Sequence, residues 1–335
     1  MTAAPGSSLS KTHLLRSTPQ TVVWGHICAG VAPALRIASG ETVRIDTVSH
    51  QGLMKQDPTQ YFGEMGVSLQ QVLQDGVDIY RNVKRREGAG SHVLTGPIYV
   101  DGAMPGDMLE VRVLDIEFRV PYGVNSSGRG SGVLPELLET PAPKLIRLDL
   151  ERRVALFSPG VEVPLAPFMG IMAVAPPPDR SPVSTKPPGP WGGNIDFRHL
   201  ITGATLYLPV FNSGAQFFTG DGHGAQGDGE VNGTAIEISL APTLQFIVHK
   251  HAGRNMNWPR AEDAVHHYTM GMDPDLDIAL KLAVEETVKF FRKEHALSAA
   301  DAYALASLNV DFRIGEAVNN VKMVYGAIPK RLFVT

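Results

Sequence analysis

The sequence predicts an α+β fold that is mainly β: a large β-sandwich or barrel-like scaffold followed by a C-terminal helical and mixed α/β portion. Three observations carry this. Alternating apolar runs follow turn glycines three times, at Ala34 to Asp46, Gly96 to Ile116 and Ile201 to Val210. The stretch 175–194 is too dense in proline and glycine for a helix or an inner strand. Apolar residues then take up helical spacing in the last third of the chain.

In chain order, residues 1–18 are small and polar and read as a flexible arm. Thr21 to Trp24 reads as a strand. Ala34 to Asp46 reads as a hairpin about Ser39-Gly40. Residues 49–92 hold short helical pieces, Ser68 to Leu73 among them, and the basic run Lys84-Arg85-Arg86. Residues 121–140 are loop, and 175–194 form an ordered loop crossing the molecule. Pro259 to Met270 and Leu276 to His295 carry helical patterns, the second with Lys and Arg late, as suits a helix C-terminus. Leu297 to Asp301 resembles a capping box opening a third helix to about Leu308. Val310 to Ile314 and Arg331 to Thr335 read as strands. The expected organisation is an arm (1–18), a β-rich catalytic scaffold (19–250) and a helical or mixed portion packed on it (251–335).

Composition narrows the function. Of 335 residues, 43% are hydrophobic and 19% charged, with a net charge of −4. That describes an ordinary globular chain, and only one short basic run argues for nucleic acid, so none is expected as a partner. Cys28 is the single cysteine, which excludes an internal disulfide and a thiolate metal cluster. Met1 to Thr18 lacks an apolar signal core, and no run of about 18 apolar residues occurs. The expectation is a cytoplasmic protein without a membrane partner.

The chemistry concentrates in Thr219 to Glu230, where two aspartates, a histidine, a glutamate, a glutamine and five glycines fall within twelve positions. Glycine lets backbone approach a ligand closely, and carboxylate with imidazole is both a zinc-type ligand set and an acid/base set. The stretch is expected as a loop suspended between two strands. Other polar clusters are less suggestive. His266-His267 are expected on a helix, where neighbours point apart. Asp273-Pro-Asp-Leu-Asp277 lacks the glycine and final glutamate of a calcium loop and reads as a helix cap, although calcium stands as a candidate additional ion. Ser126-Ser127 has no nucleophile elbow around it.

Four segments together resemble the acetamidase/formamidase family: Thr95 to Val111, Pro167 to Pro176, Trp191 to Asp196, and Gly220 to Glu230 with Gly233 to Glu237. The resemblance runs along nearly the whole chain. It implies a mainly β fold, a divalent metal and water-mediated hydrolysis of a small amide to carboxylate and ammonia. It also implies a homo-oligomer, a dimer or larger. On that footing Asp221 and His223 are expected as metal ligands, because side chains at i and i+2 of extended backbone share a face. His50 is expected as the third ligand and zinc as the metal. Glu230 is the candidate general base and acid, with Asp228 as its alternate. His92, Gln226 and Asn125 are candidates for binding the substrate. Two other readings stay open: the same chemistry on a larger or cyclic amide such as a lactam, or a non-catalytic scaffold that binds a metal or small ligand.

Overall fold

The structure, a computed structural model, describes residues 12–54 and 56–333. Strands dominate, and they form open sheets with no closed barrel among the described residues. The largest sheet has nine strands. Its order is Thr12–Leu15, Thr42–Ile45, Leu240–His249, Met108–Phe118, Thr205–Pro209, Arg260–Glu262, His266–Asp273, Lys322–Pro329 and Asp311–Glu316. Only the first pair is parallel. This sheet runs unbroken across position 250, so the β scaffold and the C-terminal strands share one hydrogen-bonded frame.

A six-stranded sheet carries the chemistry. Gly192–Asn194, Phe168–Ala173, Phe217–His223, Val93–Val100 and Val22–Trp24 follow in order, and Leu35–Ile37 adds in parallel to Val93–Val100. Phe168–Ala173 and Phe217–His223 are buried at every position. Such full burial fits a central strand packed on both faces. One apolar core joins this sheet to the nine-stranded one, as where the Phe217 and Phe246 rings meet at 5.0 Å. A four-stranded sheet (Tyr122–Asn125, Lys144–Asp149, Val154–Ser158, Val161–Pro164) and a short pair (His26–Ile27 with Val183–Ser184) complete the strands.

The long helix Leu276–Glu294 lies against His266–Asp273 and Lys322–Pro329. Asp275 caps it by accepting from the backbone N–H of Asp277 and Ile278. Asp273 likewise accepts from Asp275 N–H. These aspartates therefore serve the helix start, and nothing in their arrangement points to calcium. Ser298 caps Ala299–Asn309, as its capping-box pattern predicts.

Several local expectations are corrected. Pro259 to Met270 is not helical: it gives the strands Arg260–Glu262 and the start of His266–Asp273. The pair His266-His267 therefore diverges because strand neighbours face opposite ways. Leu35–Ile37 and Thr42–Ile45 are no hairpin, since each joins a different sheet. Within the expected arm (1–18), Thr12–Leu15 is a strand, and residues 1–11 lie outside the described residues. Lys330–Leu332 is a 3-10 turn where a strand was expected, and residues 334–335 lie outside the described residues.

Candidate active site

Asp221 and His223 sit at the end of the Phe217–His223 strand, so the expected suspended loop is half strand. They come together as expected, His223 Nε2 lying 3.5 Å from Asp221 Oδ2, but not through extended backbone alone, since Asp221 has a left-handed φ of 58°. His50 follows the Thr42–Ile45 strand, where Ser49 N–H donates to Ser239 Oγ and fixes the bend. Its Nδ1 is 3.3 Å from Asp221 Oδ1. His92 immediately precedes Val93–Val100 and sets Nε2 3.6 Å from Asp221 Oδ2. Three histidines from three segments thus converge on one buried carboxylate.

Two acids that sequence reasoning did not single out complete the cluster. Glu237 pairs its backbone with Val124 and places Oε1 3.4 Å from His223 Nε2 and Oε2 3.9 Å from His50 Nδ1. Asp196 follows the edge strand Gly192–Asn194 and stands 4.0 Å from His223 Nδ1. Asn319, from the turn between the last two strands, donates to Asp196 Oδ2. Glu237 and Asp196 end two of the family-like segments, so a signal for both was present. Nothing in Asn319-Asn320 marked that turn.

The remaining candidates separate. Glu230 joins the cluster, with ligand atoms of His223, Glu230 and Glu237 all within 4.8 Å of one another. It does not open a strand: it sits in a turn, with φ of 45°. Gln226 is fully engaged, its Oε1 accepting from His223 Nδ1 at 2.9 Å and its amide donating to the Asp196 carbonyl. It therefore holds the His223 ring with Nε2 turned toward Asp221 and Glu237. Asn125 clamps the loop after Glu230, donating to the Thr234 and Ala235 carbonyls and accepting from Asn232. Asp228 accepts from the Tyr325 hydroxyl at 3.0 Å and lies in none of the metal-competent groups.

Local strain marks the same place. Asp196, Asp221 and Glu230 all have positive φ, a conformation that costs a residue with a Cβ about 1–2 kcal/mol. Closeness also requires Gly170 on the neighbouring strand. A Cβ there would stand 2.6 Å from Asp196 Oδ1, 2.8 Å from His223 Cε1 and 2.9 Å from Asp221 Oδ2.

The electrostatics follow from packing acids and imidazoles without water. Burial works against a charged His223, yet Glu237 and Asp221 hold it well above the ordinary imidazole range. The same carboxylates raise His50 against burial, whereas burial prevails at His92 and lowers it. Burial would raise Asp221, but His92 and His223 hold it well below the usual range. Glu230 is pushed up to about 8, chiefly by burial, with Glu237 and Asp221 adding to it against His223. Burial also raises Asp196.

These side chains fit a divalent cation. Ten buried side-chain polar atoms lack a hydrogen-bond partner among the described residues. Six of them are here: His50 Nδ1, Asn194 Oδ1, Asp196 Oδ1, Asp221 Oδ1, His223 Nε2 and Glu237 Oε2. Buried polar atoms normally find partners, so such a concentration of unpartnered ligand atoms is consistent with a place for an ion among them. Three overlapping metal-competent groups link His50, His92, Asp196, Asp221, His223, Glu230 and Glu237. A cavity of about 290 Å³ opens onto His50, His92, Asp221, Glu230 and Glu237.

Comparison with known proteins gives the family and the fold. The model of the acetamidase/formamidase family matches residues 69–182 and 179–335. An acetamidase from Mycolicibacterium smegmatis is 27% identical over 214 residues, 46% of this chain and 52% of that protein. The chain spans about half the length of the curated relatives it matches. Solved structures match more completely. An acetamidase from Bacillus halodurans superimposes with a TM-score of 0.79 at 29% identity, covering 96% of this chain and 98% of that one. For an acetamidase from Yersinia enterocolitica the TM-score is 0.81 at 25% identity, with 98% and 95% covered.

Proposed function

Because the chain belongs to the acetamidase/formamidase family, we propose that it hydrolyses a small aliphatic amide to a carboxylate and ammonia with the help of a divalent cation. The observation that carries this reading is the convergence of His50 Nδ1, Asp221 Oδ1, His223 Nε2 and Glu237 Oε2, all buried and without hydrogen-bond partners. With His92 beside Asp221, these residues would hold the cation, and a set of imidazoles and carboxylates suits zinc. A bound ion of this kind supplies Lewis acidity and lowers the pKa of water to about 7.

The protein does the rest by placement. Gln226 fixes the His223 ring, and Thr185 Oγ1 lies 3.1 Å from His92 Nδ1 and orients that ring. Asp196 is tied back by Asn319, which keeps its carboxylate beside His223. Glu230 lies at the meeting of the 290 Å³ cavity and a neighbouring groove of about 600 Å³. From there its carboxyl can take a proton from the attacking water and return one to the departing nitrogen. That return matters because an amide nitrogen leaves readily only when protonated. Asn125 and Gln226, with their amides engaged within the fold, are not the groups that bind the substrate amide in this reading.

The test is ammonia release from formamide, acetamide and propionamide by zinc-loaded protein. Turnover of at least one is expected. Absence of release from all three, with zinc bound, would contradict the proposal.

A further inference from the structure

Resting on the amide-hydrolase reading above, we infer that the amide this protein accepts also carries a carboxylate, received at the cavity mouth by Arg85 and Lys186. Both side chains line the same cavity as His50, His92 and Asp221. Arg85 comes from the basic run Lys84-Arg85-Arg86, and Lys186 from the proline-rich stretch 175–194. The fold brings these distant segments together. The Gly25 carbonyl accepts from both Gly90 N–H at 2.8 Å and Thr185 N–H at 3.2 Å. Thr185 in turn touches His92, so the residue beside Lys186 is braced on the metal cluster itself.

Arg85 is held in place. Its Nη1 donates to the Ala89 and Gly90 carbonyls, which leaves the rest of the guanidinium fork open. Neither Arg85 nor Lys186 is ion-paired with a carboxylate among the described residues, and the acid that feels Lys186 is the buried Glu316. Two such cations beside a cavity of buried acids form a charge gradient. Asp221 and Glu237 inside are engaged with His50 and His223, while the cations free to attract an anionic group, Arg85 and Lys186, stand at the entrance. A substrate with one amide and one carboxylate would therefore enter amide first.

Cavity size points the same way. At roughly 30 Å³ per water, 290 Å³ has room for about ten waters. Formamide and acetamide, with three and four heavy atoms, would leave more than half of it unfilled. A carboxylate-bearing amide two or three atoms longer occupies most of it and extends toward the mouth. The overall reaction is unchanged: water adds across the C–N bond, giving a dicarboxylate and ammonia.

The experiment compares kcat/KM for succinamate with its neutral isostere succinamide, and for malonamate with malonamide, using zinc-loaded protein and acetamide as a control. In at least one pair the acid is expected to be favoured about tenfold or more, the scale of a charge-assisted contact. In the double variant Arg85→Gln/Lys186→Gln that ratio should fall toward one, mainly through KM. If the neutral diamide is served as well as the acid in both pairs, or if the preference survives the double substitution, the inference fails. Hydrolysis of acetamide alone would likewise overturn it while leaving the hydrolase intact. No ammonia from any amide would overturn the hydrolase reading, and this inference with it.

Discussion

At the residue scale the account turns on which carboxyl moves protons and which hold the ion. Glu230→Gln keeps the shape and removes the titrating group. It should lower kcat at least ~100-fold while metal content, measured by elemental analysis, stays at the wild-type ratio. Loss of metal together with activity would make Glu230 a ligand instead. Gly170→Ala probes crowding, because its Cβ would stand within 3.0 Å of atoms of Asp196, His223 and Asp221. Forced shifts of this kind cost about 1–3 kcal/mol. Misplacement by about an ångström can cost ~100-fold in rate. The variant should therefore melt lower and lose kcat/KM by about that factor, and wild-type kinetics in it would show that the cluster has room to relax. That His50, Asp221 and His223 come together was legible because their types, spacing and family-like context agreed. Glu237 was read only as the end of a family-like segment, and its contact with His50 depends on folding across 187 positions, which no local pattern reveals.

At the element scale, strand pairing was the least legible feature. Leu35–Ile37 and Thr42–Ile45 alternate as a hairpin would, but alternation says that a face is buried and not which partner buries it. Here the two strands diverge into separate sheets. Pro259 to Met270 carries apolar residues at intervals compatible with a helix, and periodicity in so short a window is ambiguous. What decides is the partner: Glu262 sits opposite His267 across the Arg260–Glu262 and His266–Asp273 pair. His267 Nδ1 lies 3.0 Å and Lys330 Nζ 2.9 Å from Glu262 Oε2, and the Tyr207 hydroxyl donates to Oε1 at 2.8 Å. The His267 contact foremost lowers the Glu262 carboxyl to about 2. A depressed carboxyl contributes stability above its unfolded value near 4.5, and loses it as pH falls toward 2. Glu262→Gln should lower the melting temperature by a few degrees at pH 7, from the loss of about 1–3 kcal/mol in charged hydrogen bonds. The gap should close between about pH 4.5 and 2. A gap independent of pH across that window would show that packing, not charge, is what the substitution removes.

At the scale of the whole molecule, the open sheets and shared core bring to one point residues spread from His50 to Asn319. The overall mainly β character was legible, because turn glycines and alternation recur along the first two thirds. The continuity of the nine-stranded sheet into the C-terminal strands was not, since Lys322–Pro329 gave no signal that it lies beside His266–Asp273. No helix among the described residues is long and apolar enough to cross a membrane. The central claim is that the buried His and acid cluster works through a divalent cation. Its most direct test measures ammonia release and bound metal in one sample, before chelation, after chelation, and after zinc is restored. The account predicts that activity and metal vanish together and return together. Undiminished ammonia release from protein shown to be metal-free would contradict it.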